Sequence, residues 1–140
     1  MNNPYDILFE PVRIGPVTAP NRFYQVPHCN GFGHRMPQGM AAMRGMKAEG
    51  GWGVVCTEET EIHHTSDLSP YFEGRIWDDG DIPTLKLMTD AVHAHGALAG
   101  VELSYNGIDA PNLYSRVPSL APRSMGVVGG SGYDPVQTRR

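Results

Sequence analysis

Apolar and polar positions alternate in short blocks along the first third of the chain and lengthen afterwards. "VRIGPVT" (12–18) sets Gly15-Pro16 between two short β-prone pieces, which predicts a hairpin. "RFYQVPH" (22–28) is β-prone up to Pro27 and predicts a first strand. "QGMAAMRGMKAEGG" (38–51) places Met40, Met43, Met46 and Ala42 at helical spacing before the Gly50–Gly51 stop. That row predicts a core-facing helix stripe. "WGVVCTE" (52–58) is a continuous apolar run of strand length, as in a strand covered on both faces.

The stretch 60–81 shows no period and predicts a long polar and aromatic loop. "DIPTLKLMTDAVHAHG" (81–96) predicts the clearest helix. Asp81 is placed to cap it and Pro83 sits in its first turn. Leu85, Met88, Val92 and His95 share one face, and Gly96 stands at the stop. "ALAGVELS" (97–104) predicts another buried strand. From 105 onward Gly, Ser and Pro dominate, with no regular element, and 117–140 reads as a loop-rich tail.

Repeated strand–helix units imply an α/β fold with a parallel sheet and right-handed crossovers. A doubly wound sheet and a (β/α)₈ barrel both fit. "PHCNGFGH" carries Gly31 and Gly33 but lacks the third glycine of G-x-G-x-x-G and a helix directly behind it, which weakens the dinucleotide-binding alternative. A barrel takes about 250 residues. Within 140 residues only a part would fit, and the strand at 97–104 would have an unpartnered edge.

Composition narrows the function. Hydrophobic residues make up 40% and charged residues 19%, an ordinary globular balance. Net charge is −4, and the one basic cluster is the pair Arg139–Arg140, which argues against a nucleic-acid partner. No apolar run nears the roughly 18 residues of a membrane helix. The acidic, proline-broken "MNNPYDILFEP" does not read as a signal peptide, so a cytoplasmic setting with reduced Cys29 and Cys56 is expected. The spacings of His28, His34, His63, His64, His93 and His95 match no zinc pattern, so no metal site is expected. No G-x-S-x-G nucleophile elbow is present.

In a parallel sheet, chemistry gathers at the strand carboxyl ends. Those ends carry His28–Cys29, Glu58–Glu59 and Glu102–Tyr105. Glu102, inside an apolar run, is expensive to bury without a partner. Cys29 reads either as a small core residue or as a reactive thiol, and Cys56, in mid-strand, as core.

"YDILFEPVRIGPVTAPNRFYQVPHC", "KAEGGWGVVCTEE", "RIWDDGD", "MTDAVHAHGALAGVELSYNG" and "APNLYSR" resemble, in order and spacing, the N-terminal part of one branch of the old yellow enzyme family. That branch holds trimethylamine, dimethylamine and histamine dehydrogenases. The resemblance covers nearly all of 5–116 and implies the N-terminal portion of an FMN-binding (β/α)₈ barrel, about three strands after a hairpin. It places Cys29 at the position that carries the flavin through a thioether to ring carbon C6. Val26, Pro27 and His28 would line the flavin edge. Glu102 would accept from the flavin pyrimidine N3–H and bias the potential of the ring. Glu59 and Tyr105 would lie near the substrate.

Glu59 departs from trimethylamine dehydrogenase, which has an aromatic wall at that place. A carboxylate there favours an ammonium with an N–H to donate, hence a secondary or primary amine over a tertiary one. The resemblance further implies an electron-transfer flavoprotein as acceptor and a homodimer at full length. It puts a 4Fe–4S cluster only in a C-terminal part beyond these residues. The catalytic base is not among the residues singled out. Two alternatives stand beside this: an NAD(P)H-dependent enoate or dienoyl reductase on the same barrel, and a non-catalytic fragment. The 140 residues alone are expected to be inactive.

Overall fold

The computed structural model describes residues 3–68 and 74–122. Strands β1 (Val12–Ile14) and β2 (Val17–Ala19) form the predicted antiparallel hairpin, pairing Val12 with Ala19 and Ile14 with Val17. Gly15 takes φ +56° at the tight turn, a conformation that glycine adopts without steric cost.

Behind it, β3 (Tyr24–Gln25), α1 (Pro37–Glu49), β4 (Val54–Glu61), β5 (Gly74–Arg75), α2 (Ile82–His93) and β6 (Leu98–Ser104) make a parallel sheet with helices on one face. β4 is the centre. β6 runs along one side of it, while β3 pairs with its start and β5 with its end on the other.

Side-chain alternation sorts the two sheet faces. Val55 and Ala99 face the helices and pack with Met40, Ala48, Met88, Val92 and Ala97. Val54, Cys56 and Leu98 face the other way, against Ala19 and Val12 of the hairpin. The two helices approach closely where Gly45 meets Ala91; a Cβ on Gly45 would lie 3.2 Å from the Ala91 Cβ.

Several expectations change. The first strand shrinks to two residues, because Pro27 has no N–H to continue the ladder. β4 begins at Val54 and extends to Glu61, so the predicted loop at 60–81 loses its first two residues to β4 and Gly74–Arg75 to β5. Residues 69–73 of that loop lie outside the described residues.

The buried face of α1 is Met40, Ala41, Arg44, Gly45 and Ala48; Met43 is half-buried and Met46 and Ala42 are exposed. Steps of three residues lag the helical turn, so Met46 sits about 120° round from Met40. In α2, Leu85, Met88 and Val92 are buried as expected, but His95 is exposed because the helix has ended at His93. Gly96 closes that end with φ +73°.

Asp81 does not cap α2. Its carboxylate accepts from Arg75 Nε (2.6 Å) and the Trp77 backbone N–H (2.9 Å) instead. β6 is not a buried strand: Val101 and Leu103 are 42% and 66% exposed, since among the described residues it pairs with β4 alone. Residues 105–122 are ordered by side chains, not by regular elements beyond one 3-10 turn at Gly107–Asp109. Of the predicted tail, 123–140 lie outside the described residues.

Candidate functional site

The carboxyl ends of β3, β4 and β6 converge on one end of the sheet. There the apolar packing gives way to buried polar groups. Glu58, Thr57, Thr60 and Arg44 are 0–1% exposed, and Gln25, Glu61 and Asp67 are also buried.

A β-bulge sets the positions of the acids. Cys56 pairs with Gly100, but Glu59 pairs with Glu102, so Thr57 and Glu58 together face one residue, Val101. Bulges of this kind re-aim side chains and recur beside active sites. The Thr57 hydroxyl fills the gap, donating to the Glu58 carbonyl (2.6 Å) and accepting from the Glu102 N–H (3.2 Å). Without the extra residue Glu58 would stand opposite Glu102. With it, Glu59 and Glu102 become direct neighbours.

Glu102 is two residues beyond Gly100 and lies on the hairpin-facing side with Cys56 and Tyr24. Cys56 Sγ–H donates to the Tyr24 hydroxyl (3.1 Å). That hydrogen bond, then burial, then the Cys56 and Glu102 charges hold the Tyr24 phenol above its ordinary range. Cys56 is core, as expected. It also dictates Gly100, where a Cβ would come within 2.5 Å of Cys56 Sγ.

The site residues expected from the sequence fall at this end, with different exposures. Val26 is 62% exposed, Pro27 and His28 are half-buried, and Cys29 is exposed. Glu59 is half-buried, and no ion pair among the described residues engages it. Glu102 is exposed, which corrects the expectation of a costly buried acid: the open face of β6 leaves it in water. Tyr105 turns its hydroxyl to Thr65 Oγ1 (2.9 Å), bracing the loop after β4.

Beneath the 26–34 loop lies a buried cluster that the sequence reading missed. Arg44 donates from Nη1 to Gln25 Oε1 (2.9 Å) and from Nη2 to the His28 carbonyl (2.7 Å); Nη1 also lies 3.2 Å from His28 Nδ1. Gln25 Nε2 lies 3.0 Å from the same Nδ1 and donates to the Val26 carbonyl. Glu58 accepts from the Asn30 N–H (3.4 Å) with one oxygen; its other oxygen is buried without a hydrogen-bond partner among the described residues, as is Arg44 Nε.

Burial pushes the Glu58 carboxyl above its usual range, against the Asn30 and Gly33 N–H groups and the Arg44 charge. Burial likewise lowers Arg44, partly offset by attraction to Glu58, Cys56 and Cys29. A signal for this cluster was available: Met40, Arg44 and Ala48 fall at i, i+4 and i+8, so a buried Met40 and Ala48 carry Arg44 inward.

A second set pins the loop after β6. Asp67 Oδ2 accepts from the Tyr114 and Ser115 N–H groups (2.6 and 2.8 Å). Asn112, at φ +48°, donates to the Thr65 and Val117 carbonyls. "APNLYSR" is therefore a fastening for the strand-end loops.

Residues 7–134 match a known family model, NADH:flavin oxidoreductase / NADH oxidase. The chain belongs to that family. It is 52% identical over 118 residues to the dimethylamine dehydrogenase of Hyphomicrobium sp. (strain x), covering 84% of this chain and 16% of that protein. Its structure is similar to that of histamine dehydrogenase from Rhizobium sp. 4-9, with a TM-score of 0.90 and 58% identity, over 99% of this chain and 21% of that one. It also superposes on the old yellow enzyme homologue of Zymomonas mobilis, with a TM-score of 0.79 and 29% identity, covering 95% and 39% of the two chains.

The resemblance to the amine dehydrogenase branch is thus borne out, and the fold is the N-terminal part of its (β/α)₈ barrel. The chain spans 16% of the dimethylamine enzyme and 21% of the histamine enzyme. Among the described residues no helix is long and apolar enough to cross a membrane.

Proposed function

We propose that these residues form the flavin-receiving N-terminal portion of an FMN-dependent amine dehydrogenase. The observation that carries this is the strand-end constellation: exposed Cys29 four residues past β3, and Glu59 beside Glu102 near the ends of β4 and β6. The high identity to a dimethylamine and a histamine dehydrogenase supports the amine chemistry.

The residues suit a flavin ring. A thiol at one side can bond to its benzenoid carbon, and a carboxylate on the hairpin-facing side can accept an N–H from its pyrimidine. When bound, FMN supplies the two-electron chemistry that takes an amine to an imine. Around it, Cys29 would tether the ring through a thioether at C6, with the thiol proton, the displaced ring proton and two electrons passing to an oxidant such as dioxygen. Val26, Pro27 and His28 would line the edge and Glu102 would hold N3–H.

Glu59 and Glu102 are like charges side by side, an arrangement that is destabilising unless a cation or donor meets it. A protonated amine with N–H groups to donate fits that pair, so Glu59 would select secondary and primary amines. Tyr105 would act at one remove, by bracing the loop through Thr65. The imine would be hydrolysed to an aldehyde. Electrons would leave through a 4Fe–4S cluster in a later part of a longer polypeptide to an electron-transfer flavoprotein, in a cytoplasmic homodimer.

The full-length polypeptide carrying these residues, denatured and washed, tests the reading. A yellow protein with the mass of FMN on the Cys29 peptide, lost in Cys29→Ala, is expected. A colourless product overturns the tether. Reduction of the flavin by NADPH but by no amine overturns the dehydrogenase assignment in favour of a reductase.

A further inference from the structure

The hydrogen bonds around His28 fix more than the position of a loop. Arginine carries five N–H donors and no acceptor. The Gln25 atom that Arg44 Nη1 touches at 2.9 Å must therefore be its oxygen, which makes the other amide atom the NH₂ group. That NH₂ has two hydrogens. One goes to the Val26 carbonyl and the other points to His28 Nδ1 at 3.0 Å. Arg44 Nη1 approaches the same Nδ1 at 3.2 Å. Two donors, one of them cationic, thus face a single ring nitrogen. The one acceptor near it, the Val26 carbonyl, is farther away at 3.4 Å and already receives Gln25.

We propose that Arg44 is a positioning residue that locks His28 as the neutral tautomer protonated on Nε2. The strand end then presents a hydrogen-bond donor beside Cys29, not a base. The inference rests on the assignment of this strand end as the flavin-facing one. It deepens that assignment by stating what His28 can do: Nε2–H donates to an electron-rich ligand atom, and Nδ1 is not available to take the Cys29 proton. Two further observations support a built device. Arg44 is fully buried, and its Nη2 grips the His28 carbonyl at 2.7 Å, so ring and backbone are held by one side chain. The choice between ring nitrogens is set by the partner of the opposite nitrogen, and here that partner can only donate.

Two-bond proton–nitrogen correlation spectra of the chain labelled at histidine test this, with His28 assigned by the signal lost in His28→Asn. The expected spectrum shows Nδ1 unprotonated and Nε2 protonated. Arg44→Met should give a mixture of the two tautomers, and Arg44→Lys, which keeps a cationic donor, should restore most of the single form. Gln25→Glu replaces the NH₂ with an acceptor and should move a proton onto Nδ1. Nδ1 protonated in the unaltered chain, signals like those of free histidine, or an unchanged spectrum in Arg44→Met overturns the proposal. Should Arg44→Met unfold, the unaltered chain and Gln25→Glu decide. The spectra need no flavin. A colourless full-length protein would sink the tether and leave this result standing, while the wrong tautomer would sink the role of Arg44 and leave the tether standing.

Discussion

The two ends of the central strand β4 are built from opposite materials. At its amino end Val54 and Cys56 pack on Ala19, Val12 and Leu98 under the hairpin, while Val55 faces the helices. Near that end an apolar hollow of about 250 Å³ is lined by Val12, Ile14, Tyr24 and Val54, and another of about 510 Å³ by Phe9, Phe23 and Trp52. Its carboxyl end, Thr57 to Glu61, is buried apart from half-buried Glu59, but polar, with Arg44 and Gln25 packed beneath the neighbouring loop. A gap at an apolar end costs many individually weak dispersion contacts, so the loss is graded. At a polar end the loss comes in whole steps, since each donor or acceptor needs its own partner. Where flawless pairing is absent, as at Glu58 and Arg44 Nε, a ligand end is the place to look.

Breaking the polar end should have the largest effect. Arg44→Met strips donors from Gln25 and the His28 carbonyl and removes a positive charge that attracts Glu58; a loss of about 3–5 kcal/mol in urea unfolding is expected. Asp67→Ala should cost less, about 1–3 kcal/mol, by leaving the Tyr114 and Ser115 N–H groups unpaired. Hydrogen exchange should rise at those two amides and stay unchanged at the hairpin.

The apolar end answers to shape. Gly100→Ala drives a methyl into Cys56 Sγ and should cost about 1–3 kcal/mol. Cys56→Ala in the same chain should return much of that, and a double-mutant cycle measures the coupling. Additive losses would show that the contact does not matter.

The smallest effect concerns pH. The Glu58 carboxyl titrates above the usual carboxylate range when folded, because burial outweighs the N–H groups and Arg44 that favour its charge. A raised folded pKa means that the folded chain holds this proton more tightly than the unfolded one. The contribution of Glu58 is therefore full below about 4.5 and is lost as pH rises through the folded value. Glu58→Gln, which mimics the protonated carboxyl, should flatten that slope in melts across the acidic range, leaving the low-pH stability nearly unchanged and raising the neutral-pH stability. A slope that persists in Glu58→Gln would place the titration elsewhere.

Much of this was legible beforehand. The Gly15-Pro16 turn, the Gly96 stop and the apolar runs of β4 and β6 follow from local chemistry, and all are present. The methionine row misled, because three-residue spacing looks helical while drifting off the buried face. Asp81 misled because the residue before a helix reads as a cap until Arg75 and Trp77 are folded back beside it. At the strand ends Glu58 is singled out by the sequence, but its burial together with Arg44 and Gln25 is not. Each of the three has its partner on a different element, and no spacing along the chain records that.

The sequence by itself determined the hairpin, the two helices, the strands β4 and β6 and their order, and hence a parallel α/β arrangement with chemistry at the strand ends, because periodicity, turns and helix stops are local. Only the tertiary structure decided that a bulge sets Glu59 against Glu102, and that one buried guanidinium reads out Gln25 and His28 together. Register between strands and the partner of a buried polar group are non-local quantities. They are settled by which segments meet, not by what any one segment prefers.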